Sequence, residues 1–542
     1  MTVSSKPTEQ DWHTSSLPSL AYNALPNHQD DCDSIISYSK ITLESGNDFY
    51  DRSLTSRRYA LVGVACSCIV SCCCIVAGTI IVAFLRGNGA IPTKLNTNLQ
   101  KEMLVLVLNL IVTLCTESTG FVHNIALRSA LASERRLRFN TNLRLLTAAH
   151  GWRNPNGALL NVITAILLII SYNSASLVIL FLDNSGDTTG KAFYVYIAGL
   201  PLLLLGVALL LQVMIALSGL RSVKILTWSS SSFDLTAAMV HHTQLTPAPF
   251  RCMRGVSDMD VDEGPAKPSE TQPSAWHAHP SVRKVIISLW ALVVACAGWA
   301  TLVMVISNKF DGGLLPSPAL SSESWSFFPS EQYSNALVYG IPLSGGVSVQ
   351  WWILSFVNLA VVQGPLTIGL HCSELIANVI RDERHWKSAT GRKGLRMATN
   401  PLASLFSNPL SLVLLVAKPA LHWMFGLSFT LLASGGNQTL EMVAIYMFTA
   451  QIWNLCLALF IFACFFTLIA LLRPHSPQPA AYGHLQTLAN LVDEWSPVMW
   501  WGHKEDRASY CHAGTSDHSL PPVKMDCVYA ARLGSIHLEP SQ

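Results

Sequence analysis

Charge is the scarcest thing in this chain. Asp, Glu, Lys and Arg make up 13% of its 542 residues, about half of what a soluble domain carries, so most of its surface cannot face water. The net charge is +2, and the basic residues are scattered among separate segments rather than gathered on one face, which excludes a nucleic-acid surface. Also absent are a phosphate-cradling glycine loop, a hydrolase or protease motif, and any recognisable set of nucleophile, base and oxyanion donors. No enzyme activity and no cofactor are expected. The first apolar run lies too deep for a cleavable signal. The 14 cysteines avoid every segment expected on the outside, which leaves disulfides without a place. His475, His484, His503, Cys511, His512 and His518 are not at zinc spacings, so no metal is expected.

What is present is apolar sequence. Hydrophobic residues make up 50% of the chain and the mean hydropathy is +0.37. Eight segments can cross a hydrocarbon core roughly 30 Å thick: 59–85, 102–127, 158–182, 193–220, 285–307, 349–376, 409–432 and 442–471. The expected fold is an all-α membrane protein. Assigning the connecting segments to alternate sides leaves Arg86, Lys94, Lys101, Lys191 and Lys309 on one side and nearly every other Lys and Arg on the other, the side that holds both termini. By the positive-inside rule both termini are cytosolic; which membrane is occupied is not encoded. The partner this composition requires is the lipid bilayer.

The eight segments form two sets of four. One shift superposes Asn109 on Asn358, Leu110 on Leu359, Val112 on Val361, Gly120 on Gly369, and Glu134-Arg135 on Glu383-Arg384 without a gap. An even number of spans per unit gives both units the same orientation, so two parallel four-helix repeats are expected, related by an axis along the membrane normal. The organisation is then a disordered cytosolic tail at 1–58, a first repeat at 59–220, a cytosolic linker at 221–283 with a short amphipathic helix, a second repeat at 284–472, and a cytosolic tail at 473–542 with another amphipathic helix. The second repeat carries a long external loop, 308–346, with Trp325, Phe327, Phe328, Tyr333 and Tyr339; such a loop caps a cavity, binds a partner or is plain insertion. In the tail, Leu485, Leu488, Leu491, Val492 and Trp495 share a helical face. Trp495, Trp500 and Trp501 are read as membrane-interface anchors, with packing on the protein's own loops as the alternative.

Polar residues inside the apolar segments are costly and need partners. Glu117 and Lys418 lie deepest, each about 15 Å from the same surface, so they are expected to pair. Gln363 and His422 sit at similar depth, and Asn109 and Asn358 complete the candidate midplane polar site. Pro419 frees the carbonyl of Leu415 close by. A structural ion pair accounts for these residues as well as a transport site does. Cys66, Cys68, Cys72, Cys73 and Cys74 in the first span have no histidine beside them and are read as small apolar residues.

The runs ERRLRFNTNLR at Glu134, QPSAWHAHPS at Gln272, KPALHWMFGLSF at Lys418 and QPAAYGHLQTLANLVDEWSPVMWWGHK at Gln478 resemble a family of uncharacterised multi-span membrane proteins of filamentous fungi. The resemblance covers most of the chain from the first span onward and implies no activity. Two functions fit the residues: transport of a small polar solute or ion through the midplane site, or a receptor or scaffold that acts through the long loop and through cytosolic partners of the tails.

Overall fold

The computed structural model describes residues 53–84, 90–95, 98–182, 193–258, 264–310, 325–329, 336–342, 349–397, 408–434, 442–506 and 509–530. The N-terminal tail before residue 53, the run Asn437-Gln438-Thr439, which has the form of a glycosylation sequon, and most of loop 308–346 lie outside these residues.

Eight of the described helices are long and apolar enough to cross a membrane, which is compatible with a polytopic membrane protein. They comprise α1 (Leu54–Phe84), α2 (Asn98–Ser133), α3 (Ala158–Leu177), α4 (Gly199–Arg221), α6 (Pro280–Phe310), α7 (Val349–Cys372) with its continuation α8 (Glu374–Lys387), α9 (Pro409–Ser428) and α10 (Thr449–Leu471). Their outward residues are apolar: Val294, Val361 and Leu468 are 70%, 70% and 66% exposed. Large aliphatic side chains this exposed over whole helices would be untenable in water and suit lipid. Cys66, Cys72 and Cys73 are among the outward residues of α1.

Asn408 caps α9 by accepting from the Leu410 amide at 3.3 Å, with Pro409 as the first helical residue, where its missing amide costs nothing. Pro419 is accommodated inside α9, and Pro365 inside α7.

The all-α expectation is corrected at one end of the bundle. There the chain forms a six-stranded sheet in the order β1-β3-β2-β6-β7-β4, from β1 (Ala90–Leu95), β2 (Ile179–Leu182), β3 (Phe193–Ala198), β4 (Ala336–Pro342), β6 (Phe429–Ser434) and β7 (Met442–Phe448). Neighbouring strands are antiparallel except the central pair, where β2 runs parallel to β6 through Phe181 opposite Leu432 and Leu182 opposite Ala433. The segments expected to be helical through 182, from 193, through 432 and from 442 are therefore strand at their ends. Their β-branched and aromatic residues suit a pleated surface, and pairing strand to strand satisfies the backbone there as well as a helix does.

At the opposite end, linker and tail fold against the helices. Helix α5 (Ser232–His241) and helix α11 (Leu485–Leu491) pack together. Leu485, Leu488, Leu491 and Val492 are all buried, so the apolar face read as lying in lipid packs on the protein itself. A three-stranded sheet follows, β5 (Leu395–Arg396), β8 (Val498–Asp506) and β9 (Cys511–Ser516). It places Trp501, 3% exposed, 6.2 Å from Trp386 in the interior. Trp501 is thus a core residue rather than an anchor, and Trp495 and Trp500 are half-buried.

The tail is fixed by hydrogen bonds to both four-helix sets. Gly483 accepts from the Asn140 amide at 2.8 Å, and the Leu485 amide donates to the Arg138 carbonyl at 2.9 Å. Glu383 of α8 accepts from the Ala481 and Tyr482 amides at 2.9 and 2.8 Å. Gly483, at φ +72°, touches Asp382 so closely that a Cβ would lie 2.6 Å from its Oδ2, so both conformation and space require glycine.

Candidate functional site

Helices α2, α3, α7 and α9 meet across the middle of the bundle, α2 against α9 and α3 against α7. The polar residues of the apolar segments converge there. The Lys418 ammonium, 2% exposed, donates to Glu117 at 2.5 Å and also to Glu374 at the start of α8. His371 approaches both carboxylates through Nδ1, 3.1 Å from Glu374 and 3.5 Å from Glu117. Two carboxylates thus share one ammonium, leaving one negative charge in excess when both are ionised.

Above this cluster the Tyr172 ring of α3 stacks on His422 of α9, and Gln363 Nε2 lies 3.2 Å from His422 Nδ1. The Tyr172 hydroxyl donates to Thr113 at 3.0 Å and lies 3.3 Å from the Thr116 hydroxyl. Together with the Lys418–Glu117 pair, these contacts tie all four helices into one network, which a low-dielectric interior requires of buried polar groups.

Of the residues expected at the site, Glu117, Lys418, Gln363 and His422 are brought together. Asn109 is buried but donates to the Val105 carbonyl of its own helix at 3.0 Å, and Asn358 faces outward. Glu374 and Tyr172 belong to the site and were not anticipated in it. Both had a signal: Glu374 follows His371 by three residues, and Tyr172 falls at the copy of His422 when the repeat shift is lengthened by one.

A cavity of about 380 Å³ opens beside the cluster and reaches the loop end of the bundle. The Glu117 and Glu374 side chains, 30% and 27% exposed, form part of its wall. Asn124, Asn378 and Ser411 add neutral polar groups, and Arg128, Arg144 and Arg381 add cations. Arg128 donates to Asn140 at 2.6 Å and to the Ser229 carbonyl at 2.7 Å; Arg381 lies 3.4 Å from Asp382. Arg144 makes no hydrogen bond or ion pair among the described residues. Its guanidinium lies against Gly120, where a Cβ would sit 1.6 Å from Nη1. Only glycine leaves room for that side chain in this place.

Glu117, His371 and Glu374 hold ligand atoms within 4.8 Å of one another, a spacing that could suit a cation. The Lys418 ammonium already bonds both carboxylates, so the positive charge they call for is built into the chain. Outside the cavity, Phe327 and Phe328 of the long loop pack on Trp423 of α9, whose indole donates to Glu102 at 3.0 Å. No family model, curated protein or solved structure matches the chain.

Proposed function

We propose that this protein is a membrane transporter for a small anionic solute, built from two parallel four-helix units with both termini cytosolic. The observation that carries this reading is the cavity of about 380 Å³ whose wall includes the Glu117 and Glu374 carboxylates and Arg144, which is unpaired among the described residues. A volume in that range suits a small molecule, and a purely structural ion pair would be expected in dry packing.

The cations on the cavity wall outnumber its carboxylates, and Arg144 is the one whose donors are unused among the described residues. An arginine fork matches a carboxylate or phosphate group. The Glu117–Lys418–Glu374 cluster supplies a coupling element, since it can accept one proton on the surplus carboxylate without losing the ammonium from the other. Such a proton raises the positive charge around the cavity and favours an anion, which links the two ligands thermodynamically.

The strand order favours the repeat. Reading inward from each edge, β1-β3-β2 corresponds to β4-β7-β6 by position in the chain, and a two-fold axis along the strands makes the central pair parallel. The contacts of α2 with α9 and of α3 with α7 are exchanged by the same rotation, as are Tyr172 and His422. A binding site at the interface of two such units is the arrangement expected of transporters.

The test is flux. Full-length protein in proteoliposomes is given phosphate, sulfate, succinate or methanesulfonate, with choline as the cationic control, under an inward proton gradient. Gradient-driven uptake of an anion, lost in Arg144→Gln and uncoupled from pH in Glu117→Gln, is the expected result. Correctly oriented protein that moves none of them overturns transport and leaves the receptor or scaffold reading.

A further inference from the structure

Away from the membrane helices, strands β8 and β9 and the segment that follows them hold four residues whose chemistry the cavity does not use. His503 and Asp506 lie three apart on β8, with an irregularity in the ladder between His503 and Glu505 that turns them to one side, and Cys511 stands directly opposite Asp506 on β9. His503 Nε2 is 3.2 Å from Asp506 Oδ1, and the Cys511 thiol donates to the same oxygen at 3.3 Å. The three ligand atoms lie within 4.8 Å of one another. Cys527 lies on the neighbouring segment, one residue before the backbone partner of Cys511, and both cysteines are free.

The segment carrying Cys527 is fixed by backbone bonds. Its amide donates to Lys524 at 3.3 Å, Cys511 donates to Val528 at 2.9 Å, and Ala530 donates back to Cys511 at 3.0 Å. The surrounding groups orient two of the four side chains. His503 Nδ1 faces the Tyr529 hydroxyl at 3.0 Å, and that hydroxyl also accepts from the Lys524 amide at 2.8 Å. Nε2 is thereby the nitrogen presented to the cluster. The Lys524 ammonium holds Asp506 Oδ2, which leaves Oδ1 facing inward. Metal-binding histidines and carboxylates are characteristically held in this way by a second set of partners.

We propose that His503, Asp506, Cys511 and Cys527 bind one zinc ion in a closed tetrahedral site. Two sulfurs, one imidazole nitrogen and one carboxylate oxygen form a ligand set suited to zinc; calcium and magnesium call for oxygen alone. At zinc–ligand distances of roughly 2.0–2.3 Å the donor atoms stand about 3.3–3.8 Å apart, close to the 3.2 and 3.3 Å that separate Asp506 Oδ1 from His503 Nε2 and from the Cys511 thiol, while the Cys527 thiol turns in to complete the set. Binding replaces both thiol protons with the metal and releases them to solvent. With four protein ligands there is no open position, so the ion is structural: it fastens 524–530 to the hairpin and, through the Tyr529–Ala266 backbone pair, to the linker between the two helix sets. The linear order His503, Asp506, Cys511, Cys527 has no zinc-finger spacing; the hairpin brings the ligands together.

The full-length protein, purified in detergent under reductant and without chelator, should contain one zinc per chain by elemental mass spectrometry. Cys511→Ser combined with Cys527→Ser should lose it, while His518→Ala, outside the cluster, should keep it. Wild-type protein stripped by chelator and titrated with cobalt should show thiolate charge transfer and the intense visible bands of tetrahedral cobalt, a readout that does not depend on the variants folding. Zinc-free protein that takes up no cobalt, full zinc in the double variant, or a Cys511–Cys527 disulfide in the reduced preparation would each overturn the site.

Discussion

The Tyr172 and His422 rings lie face to face, centroids 3.8 Å apart and planes 13° from parallel. They come from α3 and α9, so this pair joins the two sets of four helices at the level of the ion cluster. A stacked pair contributes about 0.5–1.5 kcal/mol beyond the area it buries. Tyr172→Phe keeps the stack and removes only the bonds to Thr113 and Thr116, whereas Tyr172→Leu removes both. In detergent melts monitored by tryptophan fluorescence, Tyr172→Leu should fall well below Tyr172→Phe; equal melting would mean that the stack contributes nothing.

Lys418 is bonded to two carboxylates, and this makes the single variants unequal. Lys418→Met strands Glu117 and Glu374 and should destabilise by roughly 3–5 kcal/mol. Glu117→Gln leaves the ammonium with Glu374 and should cost much less. The pair Glu117→Leu with Lys418→Met still leaves Glu374 facing His371 alone, so only the further change Glu374→Gln should restore folding. Recovery in the double variant would show that Glu374 is not held by Lys418.

Gly120→Ala tests the seat of Arg144. The clash falls on the far end of a flexible side chain, so the variant should fold with the guanidinium pushed aside. Anion uptake should drop at least several-fold while melting stays close to wild type. Loss of the folded protein would mean that Arg144 cannot leave.

Acid should loosen the tail. The Phe139 ring lies between His279 and His484, with centroids at 4.1 and 4.8 Å. Burial pushes the His484 imidazole down to about 4, with Arg138 adding repulsion, and burial takes His279 to about 4 as well. Both rings are neutral when folded, and the unfolded chain binds more protons below the ordinary value of 6.5. Stability present above pH 6.5 is therefore lost as the pH falls toward 4, each ring giving up about 1.4 kcal/mol for every pH unit crossed. Hydrogen exchange of 484–492 should accelerate over that window, and less steeply in His484→Gln. A flat profile would contradict the burial argument.

An even number of crossings returns the chain to the side it left. Reporter tags at residue 20, near Ser322 and after Gln542 should report inside, outside and inside; any other order defeats the charge argument.

Much of this could be read from the residues. Long apolar runs define the helices because backbone groups in hydrocarbon have few alternatives, and Glu117 and Lys418 were legible as partners because equal depth and opposite charge leave few other solutions. Glu374 was hidden by the helix break at Ser373, which places it at the start of α8 yet points it back at Lys418. The strands at 179–182, 193–198, 429–434 and 442–448 were hidden because a short apolar run carries no period that separates strand from helix. Trp501 was misread for a related reason: an aromatic face identifies what must be covered, and not whether lipid or protein covers it.

Between the two sets of helices, the six-stranded sheet is stitched by a ladder only two residue pairs long, Phe181 with Leu432 and Leu182 with Ala433. Each three-stranded flank is held along longer antiparallel registers and should move as a solid plate. The central ladder is a short zip between the plates, and water can replace its few hydrogen bonds at a net cost near 1 kcal/mol apiece. The cavity beside Glu117 reaches the other end of the bundle, so under the transport reading the weakest fastening in the sheet lies where a passage to the second side would have to open.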